Sequence, residues 1–239
     1  MKLVANVLLL ALISASGAYF MLAKGSPDRV SDAARNATPV LQSLLQSANV
    51  VYPPKRVFIR VFKRERLLEL WATGDSKQPF RLMQTYEIAG MSGELGPKRR
   101  EGDRQVPEGF YFIDRFNPQS SYHLSLGLNY PNASDRILSD PLRPGGDIFI
   151  HGDNKSIGCL AMTNPKIEEI YIAALRARDA GQRQIPVHIF PYDMRKPGPE
   201  TTPALTTFWK SLKVIFDQFE KSRFVPKVSV NGKGEYRLG

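Results

Sequence analysis

The chain has 239 residues, of which 42% are hydrophobic, and its 33 basic and 23 acidic residues give a net charge of +10. This length suits one domain with a substantial core, and the ordinary hydrophobic content, without repeats or low-complexity tracts, excludes a chain that is disordered throughout. The charge favours anionic partners, including cell-wall polymers and membrane headgroups, although a solvated basic surface is the commoner explanation.

The first 24 residues predict export from the cytoplasm. Lys2 precedes an uncharged stretch that runs from Leu3 to Ala23 and ends at Lys24. Two interpretations stay open: a signal peptide cleaved after a small residue such as Gly17, or a retained helix that anchors the chain in the inner membrane. Either one places the remainder outside the cytoplasm. Export and the lack of a recognition motif together argue against nucleic acid as a partner.

Residues 25–54 are predicted to be a linker followed by a short helix. The segment from Ser26 to Ala37 is polar and small, and Thr38-Pro39 offers an N-cap and a first-turn proline for a helix that ends near Ala48. Pro53-Pro54 breaks this helix before the predicted catalytic domain, 55–194.

Strand patterns dominate the first half of that domain. A mostly antiparallel meander is predicted from strands at 56–62, 67–72 and 80–89, with further strands at 110–116 and 121–126. Aromatic residues at strand spacing are usually core, so we expect Phe58, Phe62 and Trp71 to be buried.

Two stretches of this half offer candidates for binding a substrate. The loop 90–109 is rich in glycine and charge, and loops of this length are often functional. Within its basic run, Lys98–Arg100, Lys98 is a candidate for meeting a carboxylate, with a solvated cluster as the alternative. Tyr122 and His123 are candidates for lining a cleft, although His123 is equally well explained as a hydrogen-bonded structural residue.

The stretch His151–Cys159 offers a nucleophile and a base. Cys159 is the only cysteine, and His151 ends a predicted strand, 147–151, before the turn residues Gly152-Asp153-Asn154. A reversal there could bring the thiol beside the imidazole, which would share or take its proton. Gly158 would let backbone N–H groups face a developing oxyanion. The alternative is a buried structural cysteine, but a solitary thiol in an exported protein favours a chemical role.

Helical patterns follow the cysteine. Asn164-Pro165 begins a predicted helix that ends near Ala180, and the strand 185–190 after it contains His188, which we interpret as structural or surface. In the C-terminal part, 195–239, Thr202-Pro203 opens an amphipathic helix that we expect to dock on the domain. A hairpin is predicted at 228–236, with Asn231-Gly232 as its turn.

Several of these motifs resemble those of the L,D-transpeptidase catalytic domain (YkuD fold), and more closely its YafK-type branch. The resemblance covers about 55–194. Most L,D-transpeptidases have a second histidine where this chain has Ile157, and the YafK-type branch is similar to this chain in that respect. The motifs that carry the resemblance are, in chain order, Glu94-Leu95-Gly96-Pro97-Lys98, Gly102-Asp103, Pro107-Glu108-Gly109-Phe110-Tyr111, Tyr130-Pro131-Asn132-Ala133-Ser134-Asp135, His151-Gly152, Ser156-Ile157-Gly158-Cys159 and Ala161-Met162-Thr163-Asn164.

The resemblance implies a mainly β fold, a β-sandwich with peripheral α-helices, and a cysteine mechanism. Cys159 would be the nucleophile and His151 the general base, with its other ring nitrogen oriented by a carbonyl near Gly152. Ser156 and Gly158 would support the loop, and the amides of Gly158 and Cys159 would form the oxyanion hole. No metal or organic cofactor is implied, because three scattered histidines and one cysteine do not make a ligand set.

The implied substrate is a peptidoglycan stem peptide in the periplasm of a Gram-negative bacterium. The thiolate would attack the carbonyl at the L-centre of diaminopimelate and leave a thioester, which an amine resolves in a transpeptidase. Water would resolve it in a carboxypeptidase, or in an amidase that releases a diaminopimelate-linked lipoprotein. A different class stays open: an envelope protein that binds peptidoglycan in the same cleft without turnover.

Overall fold

The computed structural model describes residues 28–239, so the predicted export segment, 1–24, lies outside the described residues. The helices are α1 (Arg29–Ser47), α2 (Ala133–Leu138), α3 (Asn164–Asp179) and α4 (Pro203–Ser222). The strands are β1 (Arg56–Phe62), β2 (Leu67–Thr73), β3 (Arg81–Glu87), β4 (Gly109–Asn117), β5 (Ser125–Leu128), β6 (Phe149–His151), β7 (Leu160–Ala161), β8 (Pro186–Phe190), β9 (Val228–Val230) and β10 (Tyr236–Leu238). In this part of the chain, no helix is both long and apolar enough to cross a membrane.

Eight strands form one curled sheet in the order β3-β2-β1-β8-β4-β5-β6-β7. Neighbouring strands are antiparallel except for two parallel pairs, β1 with β8 and β6 with β7. The two outer edges of the sheet meet, because Gly90, which follows β3, accepts from the amide of Ala161 in β7 at 2.9 Å and donates to its carbonyl at 3.0 Å. The mainly β fold with peripheral helices is confirmed. The hydrogen bonds between Gly90 and Ala161 also fix the position of β7, which begins directly after Cys159.

Helices cover both faces of the sheet. Along β1, Val57, Ile59 and Val61 lie in the core that also contains apolar side chains of α1 and α3, while Phe62 lies in the cluster formed with α4. This alternation follows from the two-residue period of a strand. The aromatic residues predicted to be core, Phe58, Phe62 and Trp71, are buried, and α4 docks on the sheet as its apolar stripe predicts.

The first helix differs from its prediction. α1 begins at Arg29, after the N-cap Asp28, and not at Thr38-Pro39, so Pro39 lies inside the helix. Proline is tolerated there because tertiary packing outweighs the lost hydrogen bond. The buried residues Ala33, Ala37, Leu41 and Leu45 recur at intervals of four and form one stripe across the proline. In the sequence, this four-residue spacing of apolar side chains indicates that the helix begins well before Thr38.

Two other elements also correct the sequence prediction. The strand expected at 121–126 is β5, which begins only at Ser125, and the residues before it form a loop. The helix α2 was not predicted, although Asn132 and Asp135 have the spacing of a capping box, and the structure contains both of its hydrogen bonds. The C-terminal hairpin is present, with β9 and β10 joined by 231–235.

A buried ion pair secures the loop 90–108 to the sheet and to α4. The ammonium of Lys63, directly after β1, donates to Glu108 Oε1 at 2.9 Å and to the carbonyls of Gly96 at 2.7 Å and Val106 at 2.9 Å. Trp209 Nε1 in α4 donates to the other oxygen of Glu108 at 2.8 Å. Burial lowers the pKa of Lys63, and the carboxylate opposes this effect. The carboxylate of Glu108 thus connects the loop 90–108 with the end of β1 and with α4.

We expect Glu108→Ala to lower the free energy of unfolding by about 3–5 kcal/mol, because the ammonium of Lys63 and the indole N–H of Trp209 would lose a buried partner. Urea denaturation followed by circular dichroism measures the change. The matched control is Glu101→Ala in the same loop, whose partner Arg143 is exposed, and it should unfold at the wild-type midpoint. Equal, small effects of both variants would show that Glu108 does not secure the loop.

Candidate active site

His151 is the last residue of β6 and is buried. Its Nδ1 lies 2.6 Å from the carbonyl oxygen of Gly152. A carbonyl only accepts, so Nδ1 carries the hydrogen, and in the neutral ring Nε2 keeps its lone pair. Burial lowers the pKa of His151, opposed by the Gly152 carbonyl and by the charge of Asp153. The ring is therefore neutral at pH 7 and has the tautomer of a general base.

Cys159 is placed by the parallel pairing of β6 with β7. That register sets Ile150 beside Leu160, which brings the preceding residue, Cys159, next to Phe149. The amide of Phe149 donates to Cys159 Sγ at 3.4 Å, and the thiol lies 3.5 Å from the carbonyl of Asp147. Burial raises the pKa of the Cys159 thiol, and the Phe149 amide opposes this effect. The resting thiol is therefore protonated at neutral pH.

Thiol and imidazole open into one cavity of about 210 Å³. The ring of Tyr122 covers His151, with 4.7 Å between ring centroids and 35° between planes, and its side chain is half-exposed. Tyr122 is thus the predicted substrate-binding residue that lies beside both reactive groups. The cavity is lined by Asn117, Ser120, Ser121, Tyr122, Ser125, Phe149, His151 and Cys159.

The cysteine loop is held by hydroxyl groups. Ser156 Oγ accepts from the amide of Cys159 at 2.9 Å and donates to its carbonyl at 2.6 Å. Gly158 has φ +86°, a conformation that favours glycine, and its amide donates to Ser92 Oγ at 2.7 Å. The sequence predicts that these two amides face an oxyanion. In this structure both are already bound to serine hydroxyls, so an oxyanion would have to displace Ser92 and Ser156.

Gly152 allows a close approach between two loops. A Cβ there would lie 2.6 Å from the carbonyl oxygen of Tyr122 and 2.6 Å from Asn164 Oδ1. The amide of Gly152 donates to the Tyr122 carbonyl at 3.0 Å. The glycine therefore lets the segment that carries Tyr122 pack against the end of β6, as a supporting role for Gly152 requires.

The other histidines have structural partners. His123 Nε2 lies 2.7 Å from Glu168 Oε1, and the residue lines a second cavity, of about 540 Å³, which shares Ser121 and Tyr122 with the first. His188 is buried between the rings of Phe58 and Phe110, and burial lowers its pKa to about 3. His188 therefore belongs to the core.

Lys98 does not line the cavity that contains Cys159. Its ammonium donates to Asp103 Oδ1 at 2.6 Å and to the carbonyl of Arg100 at 2.8 Å. Arg99 in the same run lies 3.3 Å from Asp135. Lys98 and Arg99 thus meet carboxylates of the protein itself, and Lys98 lines a separate cavity of about 160 Å³ on the Gly158 side of the cysteine loop.

Ser92 and Asn164 contribute to the site, although the sequence did not predict Ser92 as a site residue and indicated Asn164 only as part of a motif and the start of a helix. Ser92 binds the Gly158 amide, and Asn164 Oδ1 accepts from the amide of Asp153 at 3.0 Å. In the sequence, only the length of the loop 90–109 indicated that Ser92 could belong to a functional segment. The partner of its hydroxyl group, the Gly158 amide, lies 66 residues away in the chain. Within 28–239, no group of three or more His, Cys, Asp or Glu side chains could hold a metal ion.

Comparisons with known proteins identify the family of the chain. Residues 56–189 match the family model of the YkuD L,D-transpeptidase catalytic domain. YafK of Escherichia coli (strain K12) is 39% identical over 182 residues, which cover 74% of this chain and 72% of the relative.

Solved structures show more distant similarity. The K307A mutant of the helical cell shape determining protein Pgp2 from Campylobacter jejuni is 20% identical, with a TM-score of 0.46 over 80% of this chain and 67% of that one. Bd1075 of Bdellovibrio bacteriovorus is also 20% identical, with a TM-score of 0.43 over 72% of this chain and 58% of that one.

The state of the resting thiol can be tested with iodoacetamide, because Cys159 is the only cysteine. Burial raises the pKa of this thiol from its ordinary value of 9.0, so the alkylation rate should still increase above pH 9. His151→Gln is the control and should alter this profile little, since the neutral imidazole forms no ion pair with the resting thiol. A plateau below pH 8 that disappears in His151→Gln would instead indicate a thiolate–imidazolium pair.

Proposed function

Since the chain belongs to the YkuD family of L,D-transpeptidase catalytic domains, we propose that it acts on peptidoglycan stem peptides through a thioester on Cys159. The observation that carries the proposal is the shared cavity, in which Cys159 lies with His151 in the tautomer of a base. A module that only binds peptidoglycan has no need of a thiol beside an imidazole.

In the first step His151 acts as the general base. The thiol turns from the Asp147 carbonyl towards Nε2 of His151, which takes its proton while Sγ attacks the amide carbonyl at the L-centre of diaminopimelate. A carbon–sulfur bond forms and the carbonyl oxygen becomes an oxyanion. The Gly152 carbonyl holds Nδ1–H and stabilises the imidazolium.

The oxyanion needs donors that the resting structure uses elsewhere. We assign this role to the amides of Gly158 and Cys159, which the hydroxyls of Ser92 and Ser156 release when the tetrahedral intermediate forms. Collapse of the intermediate breaks the carbon–nitrogen bond. The imidazolium gives its proton to the leaving amine, and the thioester remains on Cys159.

The acceptor determines the product. An amine that attacks the thioester forms a crosslink between peptides, or attaches a protein, whereas water leaves a free carboxylate and makes the enzyme a carboxypeptidase or an amidase that releases a lipoprotein. In both cases the sulfur regains its proton from His151. These substrates place the protein in the periplasm, exported or anchored through residues 1–24, and its net charge of +10 favours the anionic envelope.

The test is mass spectrometry of muropeptides incubated with the protein and with Cys159→Ala. The substrates are tetrapeptide muropeptides and muropeptides that carry a lipoprotein remnant. Cys159-dependent dimers with diaminopimelate-to-diaminopimelate links would identify a transpeptidase, and loss of terminal D-Ala or of the remnant with uptake of water would identify a hydrolase. Thermal unfolding should show that Cys159→Ala remains folded. No product and no adduct on Cys159 would contradict the proposal and favour a binding protein.

We further expect His151→Gln to slow formation of the thioester about 10²–10⁴-fold, because glutamine cannot take the thiol proton. Rapid-quench mass spectrometry of the adduct on Cys159 measures this rate. An unchanged rate in the folded variant would exclude His151 as the base.

A further inference from the structure

The helix α1 lies outside the matched catalytic region, 56–189, yet it contacts a loop of the active site. This loop, 118–124, is here called the cleft loop. Arg29 Nη1 donates to the carbonyl of Ser120 at 2.7 Å and to that of His123 at 2.9 Å. The two carbonyls flank Tyr122 in the sequence, so one guanidinium spans the residue that covers His151.

A carboxylate on α3 makes a second connection. One oxygen of Glu168 binds His123 Nε2 at 2.7 Å, and the other accepts from Asn36 Nδ2 of α1 at 3.0 Å. His123 itself has φ +70°, which a residue with a side chain rarely adopts without support from its surroundings. Glu168 therefore links α1, α3 and the cleft loop.

The helix is rigidly placed for this contact. Its stripe Ala33, Ala37, Leu41 and Leu45 belongs to the same core as the residues of β6 and α3. Arg29 extends from the first turn of this helix, so its guanidinium is held at a defined distance from the core. Charge-assisted bonds to carbonyls are stronger than neutral ones, which suits a residue that fixes a loop.

We propose that Arg29 and Glu168 are positioning residues that hold the cleft loop, and with it Tyr122, over the ring of His151. The helix α1 is then a part of the active site, although it contributes no group to the cavity that contains Cys159. The proposal rests on the proposed role of His151 as the base, because only then does its environment affect turnover.

The cover over His151 has a measurable consequence. Burial keeps the pKa of the imidazole low, and the Tyr122 ring at 4.7 Å supplies part of that burial. The other titratable groups that face the ring are Asp153, whose charge favours the protonated form, and Cys159, which shares its cavity. Substitution of Arg29 alters neither of these two residues and removes the contacts that hold the cleft loop.

The experiment is an NMR pH titration of the histidine rings in the wild type, Arg29→Ala and Arg35→Ala, with His151 assigned from the spectrum of His151→Gln. In Arg29→Ala we expect the midpoint of His151 to rise by about 0.5 pH unit towards its ordinary value, as the ring becomes more exposed to water. Arg35 lies on the same helix, is exposed and pairs with Asp32, so Arg35→Ala should titrate as the wild type does.

Other variants and readouts separate positioning from stability. Arg29→Lys should lie between Arg29→Ala and the wild type, because its ammonium can donate to the same two carbonyls as Nη1 of Arg29 does, but from a more flexible side chain. A lower melting temperature in Arg29→Ala with an unchanged His151 midpoint would overturn the proposal. The titration uses no substrate, so its result stands even if muropeptides give no product. If they do, Arg29→Ala should also lower kcat, and Arg35→Ala should not.

Discussion

The buried contact between Lys63 and Glu108 is the constraint on which the active site depends. Three acceptors surround the ammonium, and two of them are carbonyls of the loop 90–108. The same loop carries Ser92, whose hydroxyl binds the Gly158 amide. A buried ion pair is not by itself evidence of high stability, because desolvation offsets its attraction. Its effect here is to give a long, polar loop one conformation, and that conformation supports Gly158, the residue before Cys159.

Cys159 and His151 are both neutral in the free protein. Burial acts in opposite directions on the two groups: it raises the pKa of Cys159 and lowers that of His151. Both shifts disfavour the ion pair, so the free protein holds a thiol and an imidazole. In the periplasmic location that we propose, this state limits oxidation of the solitary cysteine, since the thiolate is the reactive species. In the mechanism that we propose, the proton therefore moves from Cys159 to His151 only when the substrate is bound.

Closure of the sheet explains why distant segments form one site. Gly90 after β3 pairs with Ala161 in β7, so the loop 90–108 begins beside the cysteine although more than 60 residues separate them. The parallel pairing of β6 and β7 sets Cys159 against Phe149, and the cleft loop closes over His151 from the other side. Each of these contacts joins two segments that are not adjacent in the sequence.

The sequence by itself determined most of the elements, and it singled out Cys159 and His151 as the candidate reactive pair, a role that stays a prediction. The strand that ends at His151, the glycine next to Cys159 and the apolar stripe of α4 are local patterns, and local patterns report on local structure. The start of α1, the helix α2 and the true start of β5 were missed or displaced. In α1 the packing of one stripe on α3 overrode the proline signal, which is a tertiary effect.

Only the tertiary structure decided how the site is completed. It showed that serine hydroxyls occupy the two amides assigned to the oxyanion, that Lys98 is bound by Asp103, and that Arg29 and Glu168 reach the cleft loop. These residues meet because the curled sheet brings its edges and the helices on its faces close together in space. No periodicity in the chain encodes them, because side-chain hydrogen bonds across loops depend on distances in space and not on spacing in the sequence.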